Sequence, residues 1–327
     1  MIEIFRSIRK VYYLVLALIG IPVNLLAIII LSQGKCGLSA CITRYLVAMA
    51  AADQLVIMTE VILKRISSYY FPGSFLQVTL VCSIVKVLRR ASIDNSVWLT
   101  VTFSFDRFIA ICCQKLKAKY CTNKNAAVVI ATTCSLLCLK NIPYYFTYKP
   151  KEIINNVPWF CDIKSSFYTN AAWLVFDWFD TILTPLLPFA IIMLLNALTV
   201  RHILVANQIR KGLRRKSKGH NRNDAEMESR RKSVILLFAI SGSFVLLWLL
   251  YVLEFFYYII TKTNGPEDND SLYIFEQVGY ILRSLSCCTN TFIYGVTQTK
   301  FREQFKKVMK RPLTLLVEVI NNKIHLK

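Results

Sequence analysis

The sequence predicts an all-α membrane protein: a seven-transmembrane helix bundle followed by a short amphipathic eighth helix. Three observations carry that prediction. Seven apolar stretches follow one another with little polar chain between them, each near the ~20 residues that a helix needs to cross a bilayer. The 327 residues are 55% hydrophobic and only 18% charged, against roughly 25% charged in soluble domains. The basic residues crowd the links on one side of the chain.

The spans run, in order, Val11–Leu31, Ile42–Leu63, Ser83–Cys112, Ala126–Phe146, Ala172–Val200, Val234–Ile260 and Tyr273–Thr297. None shows the period-two alternation of a barrel strand, which excludes a membrane barrel. Seven in succession also argue against buried helices of a soluble core. Beyond the seventh, Phe301, Phe305 and Val308 recur at helical spacing, as in a helix lying in the membrane interface. The expected organisation is an outer N-terminal segment (1–10), a single bundle (11–297), and the eighth helix with a tail (298–327). With about ten residues before the first span, no large ligand-capturing domain is expected there, and no small-residue cleavage site follows that span. It is expected to serve as its own insertion signal.

Charge sets the orientation. The formal net charge is +21, from 40 Lys+Arg against 19 Asp+Glu. In a soluble protein this would suggest nucleic acid; here position excludes it. Lys115, Lys117, Lys119 and Lys124 follow span three, a basic run from Arg201 to Lys232 joins spans five and six, and Lys300 to Arg311 follow span seven. Lys/Arg enrichment marks the cytoplasmic face, so the N-terminus is expected outside and the C-terminus inside, as for a multi-pass plasma-membrane protein. Arg6, Arg9 and Lys10 oppose this but are outnumbered. The outer link after span six is acidic, with Glu267, Asp268 and Asp270 against Lys262, and Asn269-Asp270-Ser271 is a glycosylation acceptor on that face. The inner basic run should lie against anionic lipid.

Of eleven cysteines, two fall on the outer side outside span interiors, Cys82 and Cys161. The exterior is oxidising, so they are the expected disulfide. The cysteines within spans should pack as small apolar groups, and no metal-ligand spacing occurs.

The motifs resemble, over nearly the whole chain, the rhodopsin-like (class A) G-protein-coupled receptors. Asn24 stands in span one and Asp53 in span two. Span three begins at Cys82 and ends in Asp106-Arg107-Phe108, similar to Asp-Arg-Tyr; twenty-five residues at about 1.5 Å rise place those ends roughly 38 Å apart. Phe244 and Trp248 in span six, and Asn290-Thr291-Phe292-Ile293-Tyr294 in span seven, continue the match. The run Trp173–Phe179 with Leu187-Pro188-Phe189 and Asn196 through His202 is similar to the orphan receptor 139/142 group, which implies an aromatic amino acid ligand and coupling mainly to the Gq class. Departures are clear: Leu250 replaces the proline after Trp248, Thr291 replaces the proline of span seven, Asn196 stands for a tyrosine, and Arg230 occupies the place of an acidic partner for Arg107, so no ionic lock between spans three and six is expected. Gly242-Ser243 offers another hinge.

The resemblance implies that Asp106, Arg107 and Tyr294 couple the bundle to a heterotrimeric G protein, with Asp106 holding Arg107 at rest. It also implies a sodium ion at Asp53, ringed by Asn24, Ser96 and Asn290; no other cofactor is expected. From the residues themselves, the outer half of the bundle is unusually charged. Span three carries Lys86, Arg89 and Arg90, with Asp94 one turn below Arg90; Asp177 and Asp180 come from span five, Glu254 from span six, and Glu276 and Arg283 from span seven. With Trp248 and Trp173, Phe176, Phe255 and Phe256 as walls, such a cup suits a small zwitterion or an anion with an apolar group, since arginine grips a carboxylate through two parallel hydrogen bonds. Arg89 stands where amine receptors carry an acid, which argues against monoamines. A peptide ligand is the alternative, drawn by the acidic outer link. A transporter is disfavoured because no inverted repeat or pair of broken helices appears, and an enzyme because no nucleophile–base pair or phosphate loop does.

Overall fold

The computed structural model describes residues 2–214, 224–261 and 270–310. Asn269, Glu267 and Asp268, the inner-link segment 215–223, the side chain of Arg230 and the tail beyond 310 lie outside the described residues.

Seven long helices form the bundle: α1 (Ile2–Ser32), α2 (Ala40–Tyr70), α3 (Thr79–Cys112), α4 (Asn123–Thr147), α5 (Ala171–Thr181, continued by Ile182–Leu186 and Leu187–Arg214), α6 (Asp224–Thr261) and α7 (Asp270–Thr297). An eighth helix, α8, covers 299–310. Five of these, α1, α2, α4, α5 and α6, are long and apolar enough to cross a membrane by composition alone. Helices α3 and α7 are equally long but carry Lys86, Arg89, Arg90 and Asp94, or Glu276 and Arg283, in their outer halves. They are carried by their neighbours: α3 packs against α2, α4, α5 and α6, and α7 against α1, α2 and α6. Large apolar side chains such as Leu18, Leu246 and Val296 point outward. That exposure suits lipid and would be costly in water.

Two apolar clusters stack along the bundle. The inner one holds Tyr45, Leu46, Phe103, Tyr294 and Phe301, the outer one Ile57, Val97, Phe244, Trp248 and Cys288. Phe301 and Phe305 fasten α8 beneath the inner cluster, as its spacing predicts. At Gly20 a Cβ would come within 2.5 Å of Ile57 Cδ1 and 2.6 Å of Cys288 Sγ; the missing side chain lets α1 lie close against α2 and α7.

Regular α-geometry fails twice. In α2 the stretch Ile57–Ile66 is a π-helix, in which residues five apart share a face. In α5 Thr184, before Pro185, leaves helical φ/ψ at −148°, 112°, the kink that a proline within a helix produces.

The outer link after α4 adds four short strands and a helical turn at Ser166–Thr169 to the otherwise helical chain. Strands β1 (Tyr148–Lys149) and β4 (Asp162–Ile163) pair, and β2 (Glu152–Ile154) and β3 (Val157–Trp159) form a hairpin. Its two-residue turn, Asn155-Asn156, has φ of 50° and 61°, the left-handed pair that a type I′ turn demands and asparagine tolerates. The hairpin is clamped to the outer end of α3. The Cys82–Cys161 disulfide forms as expected, the Phe160 N–H donates to the Gln77 carbonyl at 2.6 Å, and the Thr79 hydroxyl donates to the Phe160 carbonyl at 2.7 Å.

Candidate functional site

Three polar assemblies interrupt the apolar interior, and they are stacked along α3.

The outermost is a cavity of about 420 Å³ whose wall includes Arg65, Arg89, Arg90, Asp180, Glu276 and Arg283, with Trp248 and Tyr251. Its organising residue is Glu60 of α2, which sequence reasoning passed over. The carboxylate is almost wholly buried, with 1% exposure, and accepts from Arg65 Nε at 2.9 Å and Arg89 Nη1 at 3.0 Å. Arg283 Nη2 lies 3.9 Å away and Lys64 Nζ 4.0 Å. The π-turn makes this possible, because it puts Glu60 and Arg65 on one face. Arg283 also lies 4.7 Å from the Tyr251 ring, 5.0 Å from Tyr280 and 5.9 Å from Trp248, in reach of cation–π attraction.

The opposite wall is balanced. Arg90 Nη1 donates to Asp180 at 3.0 Å and sits over the Tyr144 ring. Lys140 of α4 bridges Asp180 and Asp94, and Asn141 donates to Asp94 at 2.6 Å. Tyr144 closes the group by donating to Asp180 at 2.8 Å. Two acids thus face two bases across α3, α4 and α5.

Of the charged residues predicted for this cup, Arg89, Arg90, Asp180, Glu276 and Arg283 line it together with Trp248. Lys86 and Glu254 do not. The Lys86 ammonium turns outward to the Cys161 carbonyl at 2.8 Å and over the Tyr148 ring, because the clamped outer link offers it an acceptor within reach. Glu254 lies against Gly279, with Oε2 unpartnered among the described residues. The aromatic wall also differs: Tyr251 and Tyr280 replace Trp173 and Phe176, which pack on one another, and Phe255, which packs on Trp178.

The middle assembly centres on Asp53, 1% exposed. It accepts from the Ser96 hydroxyl at 2.5 Å and from Asn290 Nδ2 at 2.8 Å, which meets the requirement that a buried carboxylate be hydrogen-bonded. Asn24 does not join it. Its amide donates to the Cys287 carbonyl at 2.9 Å and its oxygen accepts from the Thr291 hydroxyl at 3.1 Å. Thr291, which stands where the resemblance expects proline, uses its hydroxyl to tie α7 to α1. Thr291→Val should cost about 1 kcal/mol, the usual net value of such a bond, read as a lower thermal midpoint of the purified protein. Between Asp53 and Trp248 is a cavity of about 10 Å³ among Ser96, Thr100, Ser243, Ser286, Thr289 and Asn290, near the volume that a single water-sized species needs.

The innermost assembly is the Asp106-Arg107 pair, 1% and 4% exposed. Arg107 donates to the Asp106 carboxylate through Nε at 3.0 Å and through Nη2. Its Nη1 reaches the Ser233 hydroxyl of α6 at 3.3 Å. No acid locks α3 to α6 here among the described residues, yet a neutral contact does join them, which the sequence did not suggest. Cys41 donates to the Asp106 carboxylate at 3.3 Å, and Cys121 to its carbonyl at 3.6 Å. Burial, then the neighbouring Asp106, pushes the Cys121 thiol up to about 12, so it remains a protonated donor. Tyr294 is fully buried against Phe301.

Comparison with known proteins agrees with this architecture. Residues 23–294 match the family model of the 7 transmembrane receptor (rhodopsin family). The chain is 21% identical over 285 residues to cysteinyl leukotriene receptor 1 of Sus scrofa, covering 86% of this chain and 78% of that protein. It is 24% identical over 216 residues to the FMRFamide receptor of Drosophila melanogaster, which covers 62% of this chain and 39% of that protein. Against the gastrin/cholecystokinin type B receptor of Canis lupus familiaris it is 29% identical over 143 residues, 43% of this chain and 31% of that protein.

Proposed function

The chain belongs to the rhodopsin family of seven-transmembrane receptors, a family of signalling receptors and not of enzymes, and from that premise we propose that it binds a small extracellular ligand in the charged cup and activates a heterotrimeric G protein, of the Gq class, at its inner face. The observation that carries this reading is the arrangement on α3: one rigid helix bears Arg89 and Arg90 on the cup wall and the buried Asp106-Arg107 pair at its other end. A change in what occupies the cup bears on the same helix that presents Arg107.

The ligand is an aromatic amino acid-like zwitterion or an anion. The resemblance to the orphan receptor 139/142 group supports the amino acid and the Gq coupling; the basic wall supports an acidic group. A peptide is the second reading, favoured by the names of two relatives, an FMRFamide receptor and a gastrin/cholecystokinin receptor. A calcium-mobilisation screen of free amino acids and short peptides on expressing cells, with and without Gq inhibition, tests both. Responses that survive Gq inhibition, or solute uptake without any G protein, would overturn the coupling proposal. Arg283→Ala should weaken the potency of an acidic agonist by roughly 10- to 100-fold, since losing one charged hydrogen-bond partner costs about 1.5–3 kcal/mol. An unshifted dose–response curve would remove the carboxylate contact.

Asp53 and its surroundings fit a sodium ion. Asp53 and the Ser96 hydroxyl offer oxygens suited to a hard cation, Asn290 turns its amide nitrogen to Asp53, and a small polar cavity adjoins them. Asp53, Ser96 and neighbouring hydroxyls would hold it, while Asn24 is committed to α7. The ion would supply a positive charge that keeps the resting packing. Asp53→Asn should therefore abolish any sodium dependence of agonist affinity; a dependence that persists would count against the site.

A further inference from the structure

The cup is lopsided in charge. On the α3/α4/α5 side Arg90 and Lys140 are matched by Asp94 and Asp180. On the α2/α3/α7 side four cations, Lys64, Arg65, Arg89 and Arg283, surround the one carboxylate of Glu60, an excess of three. Glu276 lines the same cavity, and counting its charge leaves an excess of two. Three of the four are guanidiniums with little solvent contact, at 14%, 16% and 7% side-chain exposure. Charges so placed are weakly screened and costly to leave uncompensated.

We infer that the α2/α3/α7 wall is a subsite for a doubly charged acidic head, a phosphate monoester or a pair of carboxylates, carried on an apolar ring. The inference rests on the receptor reading above and narrows its ligand from a zwitterion or monoanion to a dianion. A single carboxylate would leave half of that excess in place, whereas a head with two negative charges offsets it. The guanidinium fork matches such heads, each able to take two acceptor oxygens. Arg283 and Arg65 both lie over the Tyr280 ring, 5.0 Å and 5.4 Å from its centroid, a cation–π contact that restrains both side chains. Tyr251, Tyr280 and Trp248 lie beside the subsite and supply the apolar contact for a ring. Glu60 remains as the inner counter-charge holding the cations in place when the cup is empty. Zwitterions are disfavoured there, because an ammonium group brought with the acid would meet the excess of like charge.

The test is a charge ladder on one ring, read as thermal stabilisation of the purified full-length receptor in detergent at about pH 7.5, where a phosphate monoester carries close to two negative charges. The probes are benzamide, benzoate, phenylalanine, phenyl phosphate and phenylsuccinate. Phenyl phosphate or phenylsuccinate should stabilise at concentrations ~10-fold or more below benzoate, with benzamide and phenylalanine weaker still, and Arg89→Gln should erase the advantage of the dianion. Benzoate or phenylalanine equalling the dianions, or no probe stabilising the receptor at all, would overturn the inference. If Arg89→Gln does not fold, the ladder on the unmodified receptor still decides. Nucleotide exchange, measured separately, keeps the two readings apart. Exchange driven by phenylalanine with no response to either dianion sinks this inference alone, and dianion binding without exchange sinks only the signalling proposal.

Discussion

Arg107→Gln is expected to reduce G-protein nucleotide exchange to background while the receptor still reaches the cell surface. The guanidinium is held at rest by two hydrogen bonds to Asp106 and one to Ser233 of α6. Movement of α6 away from α3 would break the Ser233 contact and free one edge of the fork for a partner protein's acceptors. Glutamine keeps a neutral donor near Asp106, so the inner apolar cluster should survive, but it cannot provide the charge or the fork. Asp106→Asn makes the opposite prediction: the arginine loses its charged partner, and exchange without ligand should rise. Cell-surface labelling alongside exchange of a labelled nucleotide reads both. Normal exchange in Arg107→Gln would remove this residue from the coupling role.

The second large effect is structural. Glu60→Leu should cost about 3–5 kcal/mol, the range seen when one member of a buried ion pair is removed and its partners stay behind. Here four cations would lose their common carboxylate, whereas leucine supplies only apolar area worth about 1.5–3 kcal/mol if fully buried. The expected result is poor surface expression and a lower thermal midpoint. Adding Arg89→Leu to Glu60→Leu should recover part of the loss, because it removes one orphaned charge. A Glu60→Leu receptor as stable as the original would show that the cations find other partners.

Much of the fold was legible because membrane helices are written in length and apolarity. The third and seventh spans are the instructive cases. Hydropathy alone would pass them over, and the separation of Cys82 from Arg107 and the Asn290–Tyr294 motif locate them instead. The contacts of Asp53 with Ser96 and Asn290 followed from motif positions. Asn24 did not, since the exchange of proline for Thr291 gave its amide oxygen a different donor. Glu60 was missed for a geometric reason. On an α-helical wheel residues five apart diverge, so Glu60 and Arg65 look unrelated, and only the π-turn unites them. A lone acid within span two should still have raised the question, as a charge in a membrane segment usually has a partner. Lys140 was hidden likewise, a single base in an apolar run whose acids lie on α3 and α5. The outer hairpin was unreadable because two asparagines are a weaker turn signal than Asn-Gly.

The clamped outer hairpin has a bearing on time as well as on shape. A covering segment that swings can set arrival and departure by its own opening, whereas one covalent bridge and backbone hydrogen bonds tie this link to the start of α3. Solute exchange is therefore expected not to wait on its movement, and dwell time, the part of affinity that most often varies between related complexes, is expected to follow the basic residues of the cup.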